Sequence, residues 1–234
     1  METTIKARWL GHSAVALVSP SGKKILIDPF LKNNPSTPDD LKSPKEADYI
    51  LLTHGHEDHV GDTLELAGTT GAKVLSIVEL SGLLKNDGLP ADQALEMNKG
   101  GTVRLDDFRV TMVNANHSSS LGGRYAGDPA GLIIRFDNDI TVYHCGDTNI
   151  MSDFSIYGEL YKPDLCFMPI GDTYTMNARE AAYACMLLKP KMVVPIHYGT
   201  WPPLTGSPEE FRERVEGDTA SKVLIPEAGD WFLK

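Results

Sequence analysis

Thr53-His54-Gly55-His56-Glu57-Asp58-His59 places three histidines and an aspartate within six positions, immediately after the apolar run Tyr49-Ile50-Leu51-Leu52. The run is short, continuous and bounded by Asp48, as expected of a strand buried on both faces. The histidine-rich stretch then sits at that strand's C-terminal end. Imidazole and carboxylate together suit zinc and its divalent neighbours, and close spacing brings several ligands in from one turn of chain. Solvated loops seldom concentrate histidine in this way. The stretch therefore reads as the first half of a metal site.

Before it, strands are expected over Ile5 to Leu10, Ala14 to Val18 and Lys24 to Ile27, with Ser19-Pro20-Ser21-Gly22 as a turn and Asp28-Pro29 ending the third. Asn33 to Pro38, continuing to Pro44, is too polar and proline-rich to be an element and reads as a surface loop. After it, a helix can start between Gly61 and Leu66, followed by a strand over Lys73 to Ile77 and a helix from Glu79 to Lys85. Beyond Lys99-Gly100-Gly101 come strands at Thr102 to Leu105 and Phe108 to Val113, then a hairpin of Gly131 to Phe136 with Ile140 to His144. Leu165 to Ile170 and Met192 to Ile196 are further apolar runs. Between them Asn177 caps a helix from Ala178 to Leu188 that Pro190 ends. Ser207-Pro208-Glu209-Glu210 is a capping box opening a helix to Val215, and Val223 to Ile225 is the last expected strand. Meanders and hairpins with helices between them favour an α+β fold of two sheets packed face to face with helices outside, over a doubly wound parallel sheet. No short-period repeat or low-complexity linker interrupts residues 1–234, so one domain is expected.

Composition narrows the function. The 234 residues are 41% hydrophobic and 23% charged, ordinary for a soluble protein, and no apolar stretch approaches the ~18 residues of a membrane span. Met1-Glu2-Thr3-Thr4-Ile5-Lys6 has neither a secretory nor a transit pattern, and the three cysteines, Cys145, Cys166 and Cys185, are widely spaced and odd in number. Both features point to the cytoplasm. A net charge of −10 argues against a nucleic-acid partner and for a small-molecule substrate. A homo-oligomer is compatible with such an enzyme.

A two-metal site needs more ligands than the opening stretch supplies. His117 follows the apolar run ending at Val113, Asp147 follows Ile140 to Tyr143, and His197 follows Val193 to Ile196. Each is a ligand type just beyond a β run, where a rigid scaffold presents functional side chains. This set, in this chain order, resembles the ligands of the metallo-β-lactamase superfamily. The resemblance continues in Gly11-His12-Ser13, Gly146-Asp147-Thr148, Pro169-Ile170-Gly171-Asp172 with Thr175-Met176, and Pro195-Ile196-His197-Tyr198-Gly199-Thr200. Those details are similar to the metal-dependent hydrolases near the L-ascorbate 6-phosphate lactonases, and the match covers essentially the whole chain.

The resemblance implies an αββα sandwich with metals at one edge. It implies that His54, His56 and His117 hold one divalent ion, that Asp58, His59 and His197 hold the other, and that Asp147 bridges. Two such ions ~3.5 to 4 Å apart share a hydroxide nucleophile; zinc is the first choice, with manganese, nickel, cobalt or iron as alternatives. Asp58, besides ligating, is the first choice for general base. His12, Asp172, Tyr198 and Thr200 are candidates for substrate contact or for orienting the ligands. Ser118 adjoins His117, and Arg124 reads as an exposed loop arginine. Cys145 reads as buried packing. Strand periodicity sets His144 opposite Asp147, as a core or supporting residue. The expected activity is metal-dependent hydrolysis of a small ester, lactone, thioester or phosphate-bearing substrate. The alternatives are a mononuclear iron dioxygenase or sulfur-handling oxidoreductase of the same superfamily, and a nuclease or phosphodiesterase.

Overall fold

The structure, a computed structural model, describes residues 4–233. Met1, Glu2 and Thr3 of the N-terminal pattern lie outside them, as does Lys234. The first part of the chain forms β1 (Lys6–Trp9), β2 (Val15–Val18), β3 (Lys24–Ile27), β4 (Tyr49–Leu51), α1 (Glu57–Val60), α2 (Thr63–Thr70), β5 (Lys73–Ile77), α3 (Val78–Asn86) and β6 (Ala94–Met97). Next come β7 (Thr102–Arg104), β8 (Phe108–Asn114), β9 (Ser120–Leu121), β10 (Arg124–Tyr125), β11 (Ala130–Phe136), β12 (Thr141–His144) and α4 (Asp153–Tyr161). The remainder is β13 (Leu165–Pro169), α5 (Ala178–Leu188), β14 (Met192–Ile196), α6 (Pro208–Asp218), β15 (Lys222–Val223) and β16 (Trp231–Leu233).

Two seven-stranded sheets result, ordered β16-β1-β2-β3-β4-β5-β6 and β15-β14-β13-β12-β11-β8-β7. In the first, pairing is antiparallel from β16 to β3 and parallel from β3 to β6. The second is antiparallel from β7 to β12 and parallel from β12 to β15. The sheets are thus evenly mixed, less antiparallel than the hairpin pattern implies, because each half ends in crossovers through helices or long loops. Alternation along the strands divides the core. Phe108, Val110, Met112, Leu132, Ile134, Val142, Phe167 and Val194 join residues of the first sheet in one cluster. Their strand neighbours Val113, Ile133, Tyr143, Cys166 and Val193 pack with Phe154, Tyr157, Ala181 and Phe211 of α4, α5 and α6. This is an αββα sandwich.

Local signals explain most elements. Asn177 accepts from Glu180 N–H while the Glu180 carboxylate accepts from Asn177 N–H, a complete capping box. At Ser207 only half of the expected box forms: its hydroxyl accepts from Glu210 N–H, but the Glu210 carboxylate takes Arg214 instead. Besides the short α1, β9 and β10, three elements go beyond the sequence expectation. β6, Ala-Leu-Glu-Met, lacks β-branched residues and is held by parallel pairing to β5. The last strand is β16, which returns to pair with β1, not the stretch at Val223, where β15 stops after two residues. α4 carries a central glycine and aromatic residues of weak helix propensity. Packing selects it: a Cβ at Gly158 would lie 2.3 Å from the Leu188 carbonyl oxygen at the end of α5.

Two glycine substitutions should therefore act in opposite directions. Gly158→Ala should destabilise by about 1 to 3 kcal/mol through overpacking, although alanine is the better helix former. Gly82→Ala in α3, where a Cβ meets nothing within 4 Å, should stabilise by up to about 1 kcal/mol. Urea midpoints at constant m-value measure both.

Candidate metal centre

The strand ends named by the sequence converge at one edge of the sandwich. β3 delivers Asp28, β4 delivers His54 to His59, β8 leads to His117, β12 to Asp147 and β14 to His197, while His12 sits in the turn between β1 and β2. Backbone bonds lock these segments across the two sheets: His197 N–H donates to the His12 carbonyl at 3.0 Å, and Ala130 N–H to the Thr53 carbonyl at 3.0 Å. Asn116 N–H donates to Thr148 Oγ1, which fixes the His117 loop beside that of Asp147. His12, Asp28 and His197 adopt φ of 51°, 46° and 60°. Left-handed backbone at three non-glycine residues of one site persists only because the surroundings hold it, as is common where side chains must be aimed at one point. Gly146, at φ 62°, has room for no Cβ, which would lie 2.6 Å from the Ala130 carbonyl oxygen.

Asp28 is fully buried and accepts three hydrogen bonds: from Thr53 N–H at 2.9 Å, Thr53 Oγ1–H at 2.6 Å and His59 Nδ1–H at 2.8 Å. Because Thr53 gives its hydroxyl proton to Asp28, its oxygen is left to accept from His54 Nδ1–H at 3.0 Å. Both His54 and His59 therefore present Nε2 to the site. His54 Nε2 faces His56 Nδ1 at 3.0 Å. Asp147 Oδ2 lies 3.0 Å from His197 Nε2, 3.3 Å from His59 Nε2 and 3.6 Å from His117 Nε2.

Ligand atoms of His54, His56 and His117 all fall within 4.8 Å of one another, and so do those of His12, Asp58, His59 and His197. His197 Nδ1 and Asp147 Oδ1 are buried with no hydrogen-bond partner, and His59 Nε2 and His197 Nε2 are buried facing the same Asp147 oxygen. Such atoms are rare unless something else occupies their lone pairs. The donor set, imidazoles with carboxylates at spacing too tight for each to be satisfied by the others, fits divalent metal ions.

The electrostatics agree. Burial, aided by the charge of His59, holds His54 well below its ordinary pKa, so its ring is neutral and ready to donate a lone pair. Burial would also lower His59, but Asp147 and Asp28 on its two nitrogens hold it well above the usual range. Burial would raise Asp147, yet His197 and His59 keep it ionised. The protein without metal thus keeps a proton on His59 that an ion would displace. His12 is lowered to about 4, by burial and then by His197.

The supporting candidates separate. His12 Nε2 contacts Asp58 Oδ2 at 3.2 Å and its Nδ1 contacts Thr200 Oγ1 at 2.9 Å, so His12 and Thr200 orient Asp58. Ser118 Oγ lies 3.4 Å from His56 Nε2. His144 is buried between the sheets: its Nε2 donates to the Ser13 carbonyl at 2.9 Å, and it supports the His12 turn from behind. The face argument drawn from extended chain ends at Cys145, because Gly146 turns left-handed. Tyr198 stacks on Trp9 at 5.4 Å, and Asp172 lies exposed in a turn; neither lines the cavity over the centre. Arg124 forms a two-point ion pair with Asp87. Cys145 packs against Cys166, sulfur to sulfur 3.5 Å, with both thiols free and buried.

That cavity, of about 420 Å³, reaches His56, Asp58, His117, Asp147 and His197 and is walled by Ser118, Ser120, Tyr174 and Trp201 among others. Asp28, Thr53, Tyr174 and Trp201 escaped the sequence reading. Asp28 carried a signal, an acidic residue at a strand end before proline, but it resembles an ordinary turn. The two aromatics come from loops whose course only the fold determines.

Comparison with known proteins identifies the family. Residues 23–198 match the model of the beta-lactamase superfamily domain. A UPF0173 metal-dependent hydrolase of Koribacter versatilis is 46% identical over 216 residues, covering 91% of this chain and 92% of the relative. One of Methanosarcina mazei is 43% identical over 232 residues, covering 97% of each. Among solved structures, Igni18, a metallo hydrolase from Ignicoccus hospitalis, superposes with a TM-score of 0.88 at 38% identity, covering 97% of each chain. The chain belongs to the UPF0173 metal-dependent hydrolases of the beta-lactamase superfamily.

Proposed function

We propose that the protein hydrolyses a small ester, lactone or thioester at a centre of two divalent ions, one held by His54, His56 and His117 and the other by Asp58, His59 and His197. Asp147 lies between them, and zinc is the first candidate, ahead of manganese, nickel, cobalt or iron. The observation that carries this reading is the placement of Asp147 Oδ2, which approaches His117 of one cluster and His59 and His197 of the other within 3.0 to 3.6 Å. When bound, such ions supply a water of lowered pKa and polarise the bond under attack.

The side chains supply the rest. Burial would raise the Asp58 carboxyl, but the hydrogen bond from His12 and the charge of His59 hold it well below the ordinary range. An ionised Asp58 facing the cavity accepts a hydrogen bond from an incoming water and fixes its orientation. The hydrogen bond from His12 holds Asp58 in place as an orienting acceptor, with the role of base beside that. Asp28 fixes His59 and, through Thr53, His54 in the tautomers that ligate. No serine or cysteine nucleophile is needed, and the thiols are buried away from the cavity.

A mononuclear iron dioxygenase would use one cluster and leave the other, His54, His56 and His117 or Asp58, His59 and His197, without an ion. A nuclease would need cations along the cavity, which is lined by Glu57, Asp58 and Asp147 instead. No helix among the described residues is long and apolar enough to cross a membrane. Cys145 and Cys166, in contact as free thiols, fit the cytoplasm.

Metal analysis of the reconstituted protein should give two ions per chain, falling towards one in His117→Ala. One ion in the unsubstituted protein would overturn the two-metal reading. Chelation should abolish hydrolysis and lower the thermal midpoint, since an ion at a hundred times its Kd adds about 2.7 kcal/mol. Asp28→Asn should leave the ligands in place but weaken metal affinity about 10- to 100-fold, measured by competition with a chromogenic chelator.

A further inference from the structure

Among the described residues, no lysine or arginine lines the cavity over the metal centre. Apart from the ligands, its lining offers Glu57, Ser118, Ser120, Tyr174 and Trp201, with two glycines of the hairpin turn. The adjoining hollow of about 580 Å³ shares Glu57, Asp58 and Trp201, adds Asp62, and again holds no cation. Nearby basic side chains are engaged elsewhere: Arg124 with Asp87, Lys32 with Glu65 and Lys99 with Asp128. If two divalent ions are present, their four positive charges face five carboxylates, those of Asp28, Asp58, Asp147, Glu57 and Asp62. The loaded site is then close to neutral, with its positive charge concentrated at the ions.

A charged group on a substrate, away from the bond being cut, would lose its hydration here without a partner, which is strongly unfavourable. Apolar groups fare differently. Trp201 is braced edge-on against the His12 ring at 5.0 Å and lies 5.9 Å from Phe30, yet it remains 38% exposed toward solvent. Tyr174 is 60% exposed. A fixed aromatic surface beside the reacting centre, with two serine hydroxyls and the Glu57 carboxylate as the polar groups around it, is a recognition wall for apolar, uncharged substrate.

We propose that the substrate is an uncharged carboxylic or thio ester, open-chain or cyclic, whose apolar part lies against Trp201. Compounds bearing a separate phosphate or carboxylate are rejected. This rests on the two-metal hydrolase reading and narrows its substrate class.

The test compares p-nitrophenyl hexanoate with mono-p-nitrophenyl adipate, which has the same leaving group and acyl length but a terminal carboxylate, on protein shown to hold its metal. The neutral ester should have a kcat/KM about tenfold higher or more. Ser120→Lys should narrow that ratio by raising the adipate value, and Trp201→Ala should raise KM for the hexanoate more than it lowers kcat. Equal or faster cleavage of the adipate overturns the substrate inference and leaves the hydrolase reading standing. An unchanged ratio in Ser120→Lys together with an unchanged KM in Trp201→Ala also overturns it. Cleavage of neither ester by metal-loaded protein overturns the ester-hydrolase reading beneath it.

Discussion

A buried carboxylate that accepts three hydrogen bonds organises this molecule's functional edge. Asp28 has no solvent contact, so its charge must be met by protein donors, and Thr53 and His59 supply them. Satisfying Asp28 therefore determines where β3 ends, how the chain leaves β4, and which nitrogen of His59 points into the site. Through Thr53 it also determines the tautomer of His54. Asp28 is not in the cavity lining, yet His54 and His59, two fully buried imidazoles of the centre beneath it, take their orientation from Asp28.

The same edge concentrates strain. His12, Asp28 and His197 hold backbone conformations that favour glycine, and Gly146 stands where no side chain fits. Such residues persist only when neighbouring contacts over-determine them. Here the contacts run between the sheets: His197 N–H to His12, Ala130 N–H to Thr53, and the His144 ring to Ser13. The sandwich core thus supports the left-handed turns, and the turns aim ligands from different sheets at one point. The like-charged and unpaired groups gathered there are compatible with a folded protein because an ion can satisfy them together.

Legibility in the sequence varied with the physics of each element. Strands with alternating or continuous β-branched residues, and the helix opened by Asn177, were readable because local preference and tertiary packing agree. β6 and α4 were not, since neighbouring strands and helices, not propensity, hold them. The return of β16 to the first sheet depends on contacts between opposite ends of the chain. Within the site, His12 stands beside Asp58 with Thr200 behind it on the other ring nitrogen, whereas Tyr198 and Asp172 lie off the cavity. Adjacency in the chain could not distinguish them, because the backbone turns left-handed at His197 and again at Asp172.

The amino-acid sequence alone determined the chemistry available: a dense run of imidazoles and carboxylates after a buried strand, further ligand types after three other β runs, and two sheets to carry them. These follow from side-chain chemistry and periodicity, which are local. Tertiary structure decided which oxygen stands between the clusters, which nitrogens are free, which carboxylate orients them and which aromatic walls the cavity. Those outcomes depend on residues far apart in the chain meeting within hydrogen-bonding distance, and no local pattern encodes that distance.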